Sequence, residues 1–253
     1  MKKARIFAAA ACVLLLVAGC KKQGTGPQGT YTTIDWNTAG TIEGTIHYAG
    51  TPPRPIRIDM AQDPACTQGP PLYTEQYGVN KDGGFANVFV YVRSGLGNRL
   101  YAAPSEPVAM DQKGCRYIPH VLGVMVGQPV RFTNSDPTMH NVHMMPTVAG
   151  NQTVDISQGP HQGGDERVFR APELMMPVRC NNHPWMQAFI NVVSNPFYAV
   201  SDADGHYVIR GLPPGTYTVV ADQEQMGQKT STVKVGAKQT ATLDFTYSGT
   251  AQQ

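Results

Sequence analysis

The strongest constraint on this chain is a rhythm that it lacks. Beyond the first twenty residues, no stretch of about 11 residues keeps apolar side chains at i, i+3 and i+4 without an interrupting Gly or Pro, so amphipathic helices have nowhere to form. Short β-branched or aromatic runs stand in their place, bounded by Gly, Pro, Asn and Asp. They are Thr41–Ala49, Ala86–Arg93, Val124–Thr133, Ala188–Val193, His206–Arg210, Thr216–Ala221 and Thr240–Tyr247. Regular strands with frequent turns predict an all-β fold of the sandwich type. At 253 residues, 41% of them apolar, the chain has material for one or two cored domains.

Residues 1–20, MKKARIFAAAACVLLLVAGC, pair a basic start with a 14-residue apolar run. As a helix that run would span roughly 21 Å, short of a hydrocarbon core of about 30 Å, so it is a secretory signal and not a membrane span. Its end, Val17-Ala18-Gly19-Cys20, resembles the lipobox of bacterial lipoproteins. The resemblance implies lipidation of Cys20 and an exported protein held on the bacterial cell envelope by its lipid anchor, facing the periplasm or the outer surface. Residues 21–40 are polar and Gly-containing, the composition of a flexible tether. Without Lys2, Lys3 and Arg5 the 20 basic residues become 17 against 18 acidic ones, and no basic stripe remains for nucleic acid.

The five cysteines are Cys12, Cys20, Cys66, Cys115 and Cys180. Cys12 leaves with the signal, Cys20 is assigned to lipid, and Cys180 lies among soft ligands. Cys66 and Cys115 are left as a disulfide in an oxidising compartment, the alternative being two small buried thiols.

Two signatures share the chain. Ser201–Ile209, followed by Arg210-Gly211-Leu212-Pro213-Pro214-Gly215-Thr216-Tyr217, resembles the carboxypeptidase regulatory-like (prealbumin-like) module. Asp204-Gly205 reads as its tight turn and Tyr217 as a tyrosine corner, while Gly44-Thr45-Ile46 fits its opening strand. Since opening and closing halves lie about 150 residues apart, the expected arrangement is a discontinuous module, 41–100 and 197–248, with a second domain at 101–196 inserted into it. A tandem arrangement is the alternative.

The inserted segment carries the chemistry. Cys180, His183 and Met186 form Cys-x-x-His-x-x-Met, and His140 lies about 40 residues upstream. Two imidazoles, a thiolate and a weak thioether are the ligands of a mononuclear type 1 copper. Each alone has a plainer role, as a buried thiol, a loop histidine or a core methionine; the joint spacing favours copper. His143 is the alternative to His140, and the two point to opposite sides of an extended segment. His120 and His161 are expected to be solvated loop histidines.

Val124–Met186 resembles the cupredoxins, amicyanin first and then plastocyanin, through His140-Asn141-Val142-His143 and Cys180-Asn181-Asn182-His183-Pro184-Trp185-Met186. The resemblance implies a Greek-key β-sandwich and ligation by His140, Cys180, His183 and Met186. It makes Asn134 the residue that ties the ligand loops and helps set the hydrogen bond to sulfur. The sequence departs from the family in having no Pro between Cys180 and His183.

A lone type 1 copper makes no bonds, and the residues flanking Cys180, Arg179 and Asn181, are not the histidines that would wire it to a second copper. Neither a His-x-x-Glu zinc motif nor a Gly-x-Ser-x-Gly elbow is present. The expectation is therefore a non-enzymatic electron carrier with a cytochrome or dehydrogenase as partner. His183, flanked by Pro184 and Trp185, is expected to be its exposed electron port. A copper chaperone or store of the envelope is the alternative, and a surface scaffold the third reading.

Overall fold

The computed structural model describes residues 30–249, so the signal segment, Cys20 and the start of the 21–40 tether lie outside it. In chain order the strands are β1 (Gly40–Ala49), β2 (Phe89–Ser94), β3 (Val108–Gln112), β4 (Tyr117–Ile118), β5 (Val121–Met125) and β6 (Pro129–Asn134). They continue with β7 (His140–Met144), β8 (Val154–Gln158), β9 (Gly163–Val168), β10 (Glu173–Arg179), β11 (Gln187–Val193) and β12 (Tyr198–Val200). The last are β13 (His206–Leu212), β14 (Gly215–Gln223), β15 (Gly227–Val235), β16 (Thr240–Thr242) and β17 (Phe245–Ser248). The only helix among the described residues is a single 3-10 turn, Pro64–Gln68. The fold is all-β, as the missing helical rhythm requires.

Four sheets are stacked in the molecule. In the first, β1 lies between β13 and β16 and also pairs with β17. It faces the second, β12-β2-β14-β15, across a core of Ile42, Ile46, Val90, Val92, Tyr217 and Val219. The third, β5-β11-β10-β7-β8, faces the fourth, β4-β3-β6-β9, across a core that includes Val124, Phe132, Val142, Val178 and Ile190. Strands on either side of 101–196 pair with one another, β2 with both β12 and β14.

The second and third sheets pack back to back through Phe89, Tyr91, Val121, Phe189 and Val220. This double burial explains the largely apolar runs in β2 and β11. Val90 and Val92 enter one core while Phe89 and Tyr91 enter another, the period-2 alternation of a strand covered on both faces. Gly123 of β5 leaves no room for a side chain in this interface, since a Cβ there would lie 2.5 Å from the Tyr198 ring and 2.8 Å from Phe89.

Local chemistry at the turns matches the sequence expectation. Gly205 has φ +80°, and a Cβ on it would meet the Ile46 carbonyl at 2.4 Å. The Tyr217 hydroxyl donates to the Pro213 carbonyl, forming the tyrosine corner.

Other expectations need revision. Val124–Thr133 is two strands, broken where Gly127 turns at φ +89°. Thr240–Tyr247 is likewise split into β16 and β17, and between them the Asp244 carboxylate accepts the Thr45 N–H at 2.7 Å. The later part of the 21–40 tether is fixed to the fold, with Ile34 packed on the first core and the Thr32 N–H donating to Leu100 at 2.6 Å. The β1–β2 connection does not stay with the first sandwich, because its Ile58, Met60, Cys66 and Leu72 pack on the second core.

Candidate metal centre

Register sets the site. β10 pairs with β7 so that Arg179 lies opposite His143, which brings Cys180, one residue past β10, beside the start of β7. The loop from Cys180 to Met186 is held short by the next pairing, Arg179 opposite Gln187, and by the Met186 N–H donating to the His183 carbonyl at 2.9 Å. Alternation along β7 sends His140, Val142 and Met144 inward, with all three fully buried. His143 leaves on the other face, where its Nδ1 lies 2.9 Å from Asn181 Oδ1, so His140 is the histidine at the site.

His140, Cys180 and His183 converge with one donor atom each, all within 4.8 Å of one another and all buried. The Nδ1 atoms of His140 and His183 approach to 2.9 Å, and Cys180 Sγ lies 3.7 Å from His183 Nδ1. Met186 is buried at the end of the same loop, within the same core. Cys180 is a free thiol, while Cys66 and Cys115 form the disulfide.

The outer nitrogens are both taken. His140 Nε2 lies 2.8 Å from Asp136 Oδ2, and His183 Nε2 lies 2.9 Å from Asp63 Oδ2. Burial pushes both carboxyl pKa values up, yet hydrogen bonds outweigh it and hold each below the usual carboxylate value. Asp136 also accepts from the Gly114 and Cys115 N–H groups at 2.6 and 2.8 Å. Asp63 also accepts from Thr138 Oγ1 at 2.8 Å and the Ala65 N–H at 2.9 Å. An ionised carboxylate can only accept, so each imidazole carries a proton on Nε2 and turns Nδ1 inward. Two inward nitrogens 2.9 Å apart beside a sulfur call for a positive charge between them, either a proton or a metal ion.

The charges agree with this geometry. Burial opposes ionisation of Cys180, but hydrogen bonds from His140 and from the Asn141 and Asn182 N–H groups lower its pKa to about 6. Burial likewise opposes the charged form of His140, but Asp136 and the sulfur raise its pKa to about 9. The thiol is thus prepared as a thiolate, the form that ligates metal.

Three residues were not singled out from sequence. Asp136 had a local signal, lying four residues before His140 on the ligand loop. Asp63 had none, for it comes from the β1–β2 connection, 120 residues from its partner. Asn141 takes the role expected of Asn134. Its N–H donates to Cys180 Sγ at 3.3 Å, and its Oδ1 accepts from the Asn181 N–H at 3.4 Å, tying the two ligand loops. Asn134 instead binds the Thr138, Gln158 and Gly159 carbonyls at 2.8–3.2 Å, and among the described hydrogen bonds none links it to the Cys180 loop.

The expected port also needs correction. His183 is only 3% exposed, because Asp63 and its segment cover the ring edge. Pro184 is exposed and Trp185 half-buried, with the Trp185 ring centroid 5.1 Å from that of His183. His120 is not solvated either. It is buried, with Nε2 3.1 Å from Glu224 and Nδ1 3.1 Å from the Gln187 carbonyl, whereas His161 is exposed.

A family model for the carboxypeptidase regulatory-like domain matches residues 180–248. Among solved structures, a copper-containing nitrite reductase from Thermus scotoductus is similar at 22% identity over 40% of this chain and 26% of that one, with TM-score 0.33. The chain thus spans about a quarter of that enzyme. A purple cupredoxin from Nitrosopumilus maritimus is similar at 20% identity over 34% of this chain and 98% of its own, with TM-score 0.28. An amicyanin variant is similar at 20% identity over 41% and 97%, with TM-score 0.31. No curated protein matches.

Proposed function

We propose that this chain is an electron carrier of the bacterial envelope, holding one type 1 copper on His140, Cys180, His183 and Met186 and catalysing no reaction of its own. One observation carries the reading: the Nδ1 atoms of His140 and His183 face each other at 2.9 Å while both Nε2 atoms are held by carboxylates. The donor set fits copper. A thiolate and a thioether suit Cu(I), the imidazoles serve both valences, and the usual zinc ligands are Cys, His and carboxylate rather than thioether.

Copper, when bound, supplies a one-electron couple between Cu(II) and Cu(I). The protein does the rest. Cys180 offers a thiolate already formed, Asn141 donates to that sulfur, and Asp136 and Asp63 hold the imidazoles so that Nδ1 points inward. Each donor is anchored in a sheet or a short, hydrogen-bonded loop, so little need move when the valence changes. With the His183 edge covered, Trp185 and Pro184 are the route to a docked partner. Trp185 lines a cavity of about 180 Å³ with Leu72, Arg116 and Pro184. A cytochrome or dehydrogenase meeting that face transiently is the partner this chemistry suits, and lipid on Cys20 would keep the carrier at the membrane surface.

One observation favours the chaperone or storage reading. Met139, next to His140 in sequence, is 51% exposed and offers a soft donor to solvent. Stopped-flow mixing of copper-loaded protein with reduced cytochrome and with a Cu(I) chelator separates the two. A carrier cycles with the cytochrome and retains its metal, whereas a chaperone gives Cu(I) up quickly to the chelator.

A further inference from the structure

We propose that Asp63 is a positioning residue for His183, a carboxylate delivered by the β1–β2 connection that fixes the ligand's outer nitrogen and closes its edge to solvent. The inference rests on the copper reading above. It adds that the metal centre is completed by a segment from outside the strands that carry its ligands.

Asp63 is held in place by several independent contacts. One carboxylate oxygen accepts from the Ala65 N–H at 2.9 Å, and the other accepts from Thr138 Oγ1 at 2.8 Å while lying 2.9 Å from His183 Nε2. Thr138 belongs to the loop leading into His140, so one carboxylate links both ligand loops to the covering segment. That segment is itself clamped. Cys66, whose N–H donates to the Asp63 carbonyl at 3.0 Å, is bonded to Cys115. The Cys115 N–H donates to Asp136 at 2.8 Å, and its carbonyl accepts from Trp185 Nε1 at 3.1 Å. Gln62 Nε2 reaches the Asn182 carbonyl at 3.0 Å, beside His183. The disulfide therefore joins the turn that presents Asp63 to the turn whose N–H groups hold Asp136. These contacts fix a carboxylate on the outer nitrogen of each histidine.

A carboxylate on the far nitrogen of a metal-bound imidazole sets its orientation and raises its basicity, and losing such a partner costs about 10–100-fold in metal affinity. Removing the Asp63 charge should also favour Cu(I) over Cu(II) and raise the reduction potential.

The test compares the full chain with its Asp63→Ala, Asp63→Asn and Thr138→Val variants. Copper affinity is measured by chelator competition, the potential by redox titration, and the His183 Nε2–H by proton NMR of metal-free protein. Asp63→Ala should bind copper about 10–100-fold more weakly, show a higher potential and lose the slowly exchanging Nε2–H signal. Asp63→Asn, whose amide oxygen still accepts from Nε2–H, should restore the signal and part of the affinity. Thr138→Val should weaken binding in the same direction by less, and with Asp63→Asn it decides the matter if Asp63→Ala does not fold. A folded Asp63→Ala with unchanged affinity and potential overturns the proposal. If the wild type bound no copper, the electron-carrier reading would fall, while an Asp63-dependent Nε2–H signal would still report the pairing.

Discussion

His140 and His183 meet nitrogen to nitrogen at 2.9 Å, each held from behind by a carboxylate. Such a pair needs a positive charge, a proton or a metal ion, between the two nitrogens. The proposed centre adds a thiolate favoured by its hydrogen bonds, a thioether at the end of the same loop, and the strand ends that hold that loop beside His140. Changing the donors without changing the sheets tests the assignment of roles. In the Met186→Leu variant the copper should remain bound while its reduction potential rises, because a weak electron-donating contact is lost and the imidazole and thiolate ligands stay. Redox titration decides this, and an unchanged potential would exclude Met186 as a ligand.

The back-to-back packing of the second and third sheets makes its own demand at Gly123. Ala there would bring a Cβ within 2.5 Å of the Tyr198 ring and 2.8 Å of Phe89, so aromatic groups must move inside a filled interface. Overpacking of this kind costs about 1–3 kcal/mol. Urea denaturation of the Gly123→Ala variant should show that loss. Stability equal to wild type would mean that the interface is looser than its geometry indicates.

His120 joins the two sandwiches, with Glu224 on its Nε2 at 3.1 Å and Glu75 at 3.8 Å from its Nδ1, and Arg116 3.6 Å beyond Glu75. Burial disfavours the charged ring, but the two carboxylates outweigh it and raise the His120 pKa above its ordinary value. A raised histidine pKa contributes stability that is fully present below the unfolded value, near 6.5. That contribution is lost as pH rises through the higher folded value. Denaturation midpoints measured across this window should fall with pH in the wild type and flatten in Glu224→Gln. Removing one member of such a buried pair should itself cost on the order of 3 kcal/mol at low pH. Parallel pH profiles for the two proteins would contradict the account.

Cutting the clamp has a different signature. The Cys66–Cys115 link spans 49 residues, and in the chain-entropy model closing such a loop contributes about 4 kcal/mol. A Cys66→Ser/Cys115→Ser protein should unfold at lower denaturant concentration by up to that amount. It should also expose His183 to solvent, readable as faster exchange of its ring proton. A destabilised protein with an unchanged ring-proton rate would separate the disulfide from the cover.

Much of this was legible in the sequence, for identifiable reasons. Runs such as Phe89–Val92 and Ala188–Val193 stand out because both faces of their strands are buried. The cluster of His140, Cys180 and His183 was legible because two of its members share one loop and the third lies in a compact motif. Strands of the opposite kind were hidden. β9 reads Gly-Gly-Asp-Glu-Arg-Val and is almost wholly exposed, so no apolar period marks it. β10 carries Pro177 and a Met175 at φ +49°, and its pairing with β11 slips between Glu173 and Met176. The carboxylate on His183 could not be found by spacing, since what brings Asp63 there is the path of a loop across a neighbouring sandwich. The exposure expected of His183 failed for the same reason.

The most direct measurement is the absorption and electron paramagnetic resonance of the purified full chain after one equivalent of Cu(II). The account predicts intense visible charge transfer from the Cys180 thiolate with the narrow copper hyperfine splitting of a type 1 centre, both abolished in Cys180→Ser. A colourless protein with the wide splitting of a tetragonal site, unaltered by Cys180→Ser, would contradict it.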